Sequence, residues 1–192
     1  LFCNVAAKAE TDENRNETLA KTFRAIEASA VGTDAEYKIR GLFSDFIVDN
    51  SKLGITVADR NKVFADVIIA VRDMKLSQDF QNNKNDTFGD TYEFLMSMYA
   101  ANAGKSGGEF FTPQEGSEIL VRLATYDNDK IDSVYDPACG SGSLLMKFQK
   151  IIGKKNPNLK YYGQEINPTT YNLCRINMFL HNVNYNNFNI AL

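Results

Sequence analysis

The feature that most constrains the fold of this chain is a glycine-rich turn, DPACGSGSL at 136–144, between a short apolar strand and a helix. Residue patterns place the strand at 131–135 and extend the helix to about residue 152. Small residues in such a turn let the backbone approach a ligand, and the helix directs its N-terminal N–H groups at the same point. The alternative is a tight connection that needs glycine only for its φ angles. The segment predicts an α/β unit under either explanation. If the small residues admit a ligand, a ligand of the nucleotide type is expected.

Helix and strand patterns alternate on both sides of this turn. The predicted elements are a helix at 113–124, the strand and helix around the turn, a strand at 159–164, a helix at 168–181 and a strand at 188–192. Thr112 and Glu115 form a capping-box pattern at the start of the first helix, and Asn167 precedes a proline at the start of the last. Strand, helix, strand, helix and strand are one half of a doubly wound α/β sheet.

Helical patterns dominate the N-terminal part of the chain. Apolar residues at helical spacing predict a helix at 17–29, and Thr56 with Asp59 predicts the start of another. The second helix is expected to bury one apolar stripe. That stripe comprises Phe64, Val67, Ile68, Val71 and Met74.

A polar stretch at 77–90, with QNNKND at its centre, separates the two patterns and predicts a linker. We therefore place a helical N-terminal domain at 1–87 and the α/β domain at 88–192, with a further helix at 91–103. The chain opens LFCNV without an initiator Met, so we expect its natural N-terminus to lie upstream.

Composition and charge exclude several classes of protein. The 192 residues contain no apolar run of membrane-spanning length, so we expect no membrane contact. The scattered cysteines lack metal-ligand or disulfide spacing, which suits a reducing cytoplasm, and with His181 as the single histidine we expect no metal site. A net charge of −3 is unlike that of a stand-alone nucleic-acid binder, so a partner is expected to supply much of any contact with DNA.

Two common nucleotide motifs do not fit the sequence. The dinucleotide fingerprint needs a small residue where Leu145 stands, and GKS at 104–106 lacks the first glycine of a P-loop because Tyr99 occupies that position. The second strand ends at Glu165, an acid that can accept both ribose hydroxyls of an adenosine. A strand-end acid alone is more often simply solvated. Its place one strand after the glycine turn favours the adenosine.

The segment GGEFFTP at 107–113 adds a third motif, although its two aromatic residues alone would be explained as core. Together with the turn and GQE at 163–165, it resembles the adenine-specific DNA methyltransferases of type I restriction-modification systems, which carry these motifs in this order. KIRGLF at 38–43 and NSKLG at 50–54 resemble the helical N-terminal domain of those modification subunits. The resemblance thus spans nearly the whole chain.

The resemblance implies an α/β fold in which a helical N-terminal domain precedes the first half of a class I, Rossmann-like, doubly wound methyltransferase domain. It also implies S-adenosylmethionine as cofactor. Residues 109–114 would lie at its methionine end, Asp136 and the 140–143 turn at the amino-acid moiety, Glu165 at the ribose and Ile166 on the adenine ring. The implied cofactor-binding residues are Glu109, Phe110, Phe111, Thr112, Pro113, Gln114, Asp136, Gly140, Ser141, Gly142, Ser143, Glu165 and Ile166.

The implied reaction is methyl transfer from S-adenosylmethionine to the N6 atom of adenine at a specific DNA site. The family's catalytic motif, Asn or Asp followed by Pro-Pro and an aromatic, is not found, because Asn156-Pro157 and Asn167-Pro168 both lack a second proline. We therefore assign no catalytic residue here and expect the motif beyond residue 192. This chain alone is expected to be inactive.

The same resemblance implies a set of partners. They are DNA, the specificity subunit and the restriction subunit of a type I complex, and a second copy of the same subunit. Two other functions stay open from the sequence. One is a single-chain adenine methyltransferase with its own recognition domain, and the other is a non-catalytic assembly module built on the same fold.

Overall fold

The computed structural model describes residues 2–73, 94, 95, 98, 112, 114–128 and 130–192. Its contacts divide the chain into two compact units, Leu1–Asn85 and Asp86–Leu192. The linker predicted at 77–90, and with it the domain boundary at residue 87, lies outside the described residues and stays a prediction. Of the helix predicted at 91–103, only residues 94, 95 and 98 are described, and all three are helical.

The described residues of the first unit form helices joined by turns. Its elements are α1 (Phe2–Ala7), α2 (Arg15–Ser29), α3 (Glu36–Ile39), a 3-10 turn (Ser51–Leu53) and α4 (Val57–Asp73). The predicted start of α4 is confirmed by reciprocal capping, in which Thr56 N donates to Asp59 Oδ2 at 3.0 Å and Asp59 N donates to Thr56 Oγ1 at 3.1 Å. A local side-chain pair therefore fixes where this helix begins.

An apolar core joins α1, α2 and α4. Phe64 and Ile68 of α4 are buried in it, as predicted, together with Leu19 of α2. The prediction was wrong for Val67, whose residue surface is 56% exposed. The buried residues of α4 include Phe64, Ala65 and Ile68, and Val67 lies to the side of the face that they form. Val71 is half-buried, and Met74 lies outside the described residues.

The second unit is the predicted α/β sheet. Its elements are α5 (Gln114–Ala124), β1 (Ser133–Asp136), α6 (Ser143–Ile152), β2 (Lys160–Gln164), α7 (Pro168–Leu180), a 3-10 turn (Tyr185–Asn187) and β3 (Phe188–Ala191). The three strands are parallel in the order β1-β2-β3. Cα register pairs Asp136 with Gly163, and Gly163 with Ile190. This is one half of a doubly wound sheet, so the predicted fold class is confirmed.

Alternating strand residues divide the sheet into a buried and an exposed face. Val134, Tyr161 and Ile190 point into a core that also holds α6 and α7. Tyr135 and Tyr162, on the opposite face, are exposed. This alternation follows from the two-residue period of a strand. Within the residues that the structure describes, no helix is long and apolar enough to cross a membrane.

Helix α7 begins where the sequence predicted. Asn167 Oδ1 accepts hydrogen bonds from the N–H groups of Thr169, at 3.0 Å, and Thr170, at 3.2 Å, and Pro168 is the first helical residue. The capping box predicted for Thr112 and Glu115 at the start of α5 stays a prediction, because Pro113 lies outside the described residues. The cap of α7 fixes the chain immediately after the β2 strand end.

Candidate cofactor site

The glycine-rich turn joins β1 to α6 through two left-handed residues. Gly140 has φ +54° and Gly142 has φ +84°. Residues other than glycine rarely adopt these angles, so glycine is favoured at both positions. The turn is closed by a hydrogen bond from Gly142 N to Cys139 O at 2.8 Å, and Asp136 Oδ1 accepts from Ala138 N at 3.0 Å. The Asp136 carboxylate is thereby oriented at the end of β1.

The buried side of the turn packs on helix α7. A Cβ atom at Gly142 would lie 2.8 Å from Cys174 Sγ and 3.5 Å from Met178 Cε. From the sequence, a small residue is expected here because a ligand approaches the backbone closely. In the structure the close approach is to α7, because the space that a side chain would need is occupied by that helix.

Two cysteines lie at the centre of this packing. Cys139 Sγ of the turn is 3.8 Å from Cys174 Sγ of α7, and both residues are buried. A Cβ atom at Gly163 of β2 would lie 2.8 Å from Cys139 Sγ and 3.0 Å from Ile190 Cδ1. Strand β2 and helix α7 therefore enclose the start of the turn from two directions.

Helix α7 also binds the turn through a side-chain amide. Asn177 Nδ2 donates to the backbone carbonyl of Ser141 at 2.9 Å, and Asn177 is 0% exposed. The hydroxyls of Ser141 and Ser143 lie 3.3 Å apart, and both residues are buried. The turn is thus held by a polar contact as well as by packing.

The second strand end places another acid beside the turn. Cys139 N donates to Gln164 O at 2.9 Å and Glu165 N donates to Ala191 O at 2.9 Å, which extends the strand pairing past β1 and β2. Because the strands are parallel, Asp136 and Glu165 lie at the same edge of the sheet. Glu165 Oε1 accepts from Asn167 N at 2.8 Å, which orients the carboxylate.

This edge has the chemical groups that an adenosine-containing cofactor needs. A carboxylate oxygen has two acceptor positions, so Glu165 can still bind ribose hydroxyls while it accepts from Asn167. Ile166, next in the chain, is 92% exposed and offers apolar surface for a base. The first turn of α6 presents N–H groups that have no partner within the helix. The residues at this edge therefore fit an adenosine-containing cofactor.

Part of the predicted site lies outside the described residues, namely Glu109, Phe110, Phe111 and Pro113. Thr112 is exposed, and Gln114 is the first residue of α5. Across the described residues, no cluster of three or more His, Cys, Asp or Glu residues could hold a metal ion.

Sequence reasoning missed two residues that shape the turn, Asn177 and Cys174. They share one face of α7 with Met178, at spacings of three and four residues. The signal that could have found them is a polar residue inside the apolar stretch INMFL at 176–180. A polar residue on a buried helix face needs a partner, and here that partner is the turn.

A parallel sheet with strand-end acids and a glycine turn at one edge defines an α/β cofactor-binding domain of the nucleotide type. The N-6 DNA Methylase family profile matches residues 83–192. The chain belongs to the N-6 DNA methylase family.

Individual relatives extend this likeness over the first unit. The chain is 51% identical to the methylase subunit of the type I restriction enzyme MpnII of Mycoplasma pneumoniae, over 99% of this chain and 36% of that protein. It is 30% identical to the MjaVII methylase subunit of Methanocaldococcus jannaschii, over 95% of this chain and 32% of that protein. A crystal structure of a type I restriction-modification system methyltransferase subunit from Streptococcus thermophilus matches with a TM-score of 0.83 and 30% identity, over 99% of this chain and 38% of that chain. The chain thus spans roughly a third of the length of these relatives.

The buried thiols are expected to make the stability of the protein depend on pH. The hydrogen bond with Cys139 and burial raise the pKa of the Cys174 thiol well above its usual range. The folded protein therefore keeps a proton that the unfolded chain releases above about pH 8.5. We expect the free energy of unfolding to fall as pH rises from 7.5 to 9.5, and to fall less steeply in Cys174→Ala. Urea denaturation at both pH values checks this, and equal slopes for the two proteins would contradict it.

Proposed function

We propose that the intact protein is the methylase subunit of a type I restriction-modification system, which transfers a methyl group from S-adenosylmethionine to the N6 atom of adenine at a specific DNA site. The observation that carries the proposal is the glycine turn between two strand-end acids. Its support is the family membership and the 51% identity to a type I methylase subunit over nearly the whole chain.

The residues of this chain would bind and orient the cofactor. Glu165 would accept the ribose hydroxyls, Ile166 would pack on the adenine ring, and Asp136 with the 140–143 turn would hold the amino-acid moiety. Residues 109–114 would lie at the methionine end. When bound, S-adenosylmethionine supplies a methyl group activated by its sulfonium. The reaction then depends on positioning more than on acid–base groups.

The target adenine must leave the DNA stack to reach such a pocket. We place the residues that would hold its amino group beyond residue 192, since the chain spans 36% of its Mycoplasma relative and contains no Pro-Pro-aromatic segment. The proposed partners are DNA, a specificity subunit that reads the sequence, a restriction subunit and a second methylase subunit. With a net charge of −3, this region would depend on those partners for much of the DNA contact.

Transfer of labelled methyl groups tests the proposal. The full-length protein with its specificity subunit is expected to label adenine N6 in DNA, and the 192-residue chain with the same partner is expected to label none. Calorimetric titration measures cofactor binding by the full-length protein. Binding is expected of an enzyme and not of an assembly module. Labelling by the full-length protein without a partner would favour a single-chain enzyme with its own recognition domain. Labelling by the short chain would contradict the assignment of the catalytic residues.

A further inference from the structure

Asn177 is a buried polar residue that the fold alone does not explain. Its side chain, on α7, is fully buried, and its Nδ2 donates to Ser141 O at 2.9 Å. Among the described residues its Oδ1 has no hydrogen-bond partner. Burying an amide with half of its hydrogen bonds unmade is unfavourable. Apolar contact between α7 and the turn is already made by Cys174 and Met178.

The hydrogen bond from Gly142 N to Cys139 O closes the turn, but it does not involve the Ser141 carbonyl. The turn residues Gly140 and Gly142 both have positive φ and are conformationally free in isolation. Ser141, between them, is 1% exposed, so its carbonyl is removed from water and needs a donor. Asn177 supplies that donor from a residue 36 positions away in sequence. The Asn177 side chain on α7 therefore restrains the orientation of the Ser141 peptide.

We propose that Asn177 is a positioning residue for the cofactor: its hydrogen bond to Ser141 O holds the 140–143 turn in the conformation that binds the amino-acid moiety of S-adenosylmethionine. This inference rests on the proposed function. Without the bond, the turn samples other conformations that its glycines permit. The apparent affinity for the cofactor then falls in proportion to the fraction of molecules whose turn is correctly shaped.

The experiment compares Asn177→Leu with Asn172→Leu in the full-length protein. Asn172 is matched to Asn177 because it is buried on the same helix, and its Oδ1 accepts a hydrogen bond from Arg175. Calorimetric titration is made with S-adenosylmethionine and with 5′-methylthioadenosine, which lacks the amino-acid moiety. Thermal unfolding is measured for each variant. Asn177→Ala provides a smaller substitution in case leucine is too large for the site.

Asn177→Leu is expected to bind S-adenosylmethionine about ten-fold or more weakly than wild type. Its affinity for methylthioadenosine should stay within about three-fold, since the ribose and adenine contacts do not depend on the turn's inner conformation. Asn172→Leu should affect both ligands equally and slightly, whatever its melting temperature. A purely structural role for Asn177 would weaken both ligands alike and would overturn the inference.

Two further results separate this inference from the proposed function. If wild type binds S-adenosylmethionine and a folded Asn177 variant binds it equally well, only the positioning role is overturned. If folded wild-type protein does not bind S-adenosylmethionine, the proposed function fails, and the positioning role fails with it.

Discussion

The full-length protein carrying Gly142→Val is expected to lose cofactor binding and several kcal/mol of folding stability. Residue 142 has φ +84°, and a left-handed conformation costs an L-residue about 1–2 kcal/mol. Its Cβ would lie 2.8 Å from Cys174 Sγ, and overpacking of this kind costs about 1–3 kcal/mol. Urea denaturation measures the loss of folding stability, and calorimetric titration with S-adenosylmethionine measures the loss of binding.

Matched variants separate the backbone effect from the steric effect. In Gly142→Ala the clash is with Cys174 Sγ, so adding Cys174→Ala should restore part of the stability and leave the cost of the left-handed φ. Gly116→Ala, in α5, is the control, because a Cβ there meets no atom within 4 Å. It should keep or raise stability, as alanine is favoured over glycine inside a helix. Wild-type stability in Gly142→Val would contradict the geometry of the turn.

Glu165→Ala is expected to weaken binding of S-adenosylmethionine by roughly ten- to a hundred-fold in the full-length protein. The substitution removes the charge-assisted acceptors that we propose for the ribose hydroxyls, a loss on the order of 1.5–3 kcal/mol. The carboxylate is already oriented by the N–H of Asn167, so the bound conformation needs little further ordering. Calorimetric titration gives the change in affinity, and thermal unfolding verifies that the fold is intact.

Glu165→Gln is the matched control for this prediction. It keeps the length of the side chain and one carbonyl oxygen that can accept from Asn167, but it lacks the charge and the second acceptor. Its affinity should lie between those of wild type and Glu165→Ala. If a folded Glu165→Ala protein binds the cofactor as tightly as wild type does, Glu165 is a solvated acid at a strand end.

Local patterns were sufficient to predict most of the described second unit. The strand predicted at 131–135 is observed as Ser133–Asp136, and the helix after Asn167-Pro168 ends within a residue of its predicted end. These elements were predictable because strand alternation, capping and proline placement act over a few residues. The same reason explains why Thr56 and Asp59 marked the start of α4.

Contacts between distant residues were not predictable from those patterns. The bond from Asn177 to Ser141 and the contact of Cys174 with Cys139 join positions 36 and 35 residues apart. The predicted burial of Val67 was wrong for a related reason, since an apolar residue at helical spacing is buried only where another element covers that face. Which faces are covered depends on tertiary packing that a single helix pattern does not specify.

The close packing around Cys139 has a consequence for how the sequence can evolve. Space for a side chain at Gly163 is taken by Cys139 Sγ, just as space at Gly142 is taken by Cys174 Sγ. The two cysteine sulfurs also contact each other. The side chains at positions 139, 142, 163 and 174 therefore have to fit together in one closely packed space. A larger residue at 163 is compatible with the fold only beside a smaller one at 139. Descendants of this sequence should therefore change such positions in compensating pairs, and single replacements there should be rare.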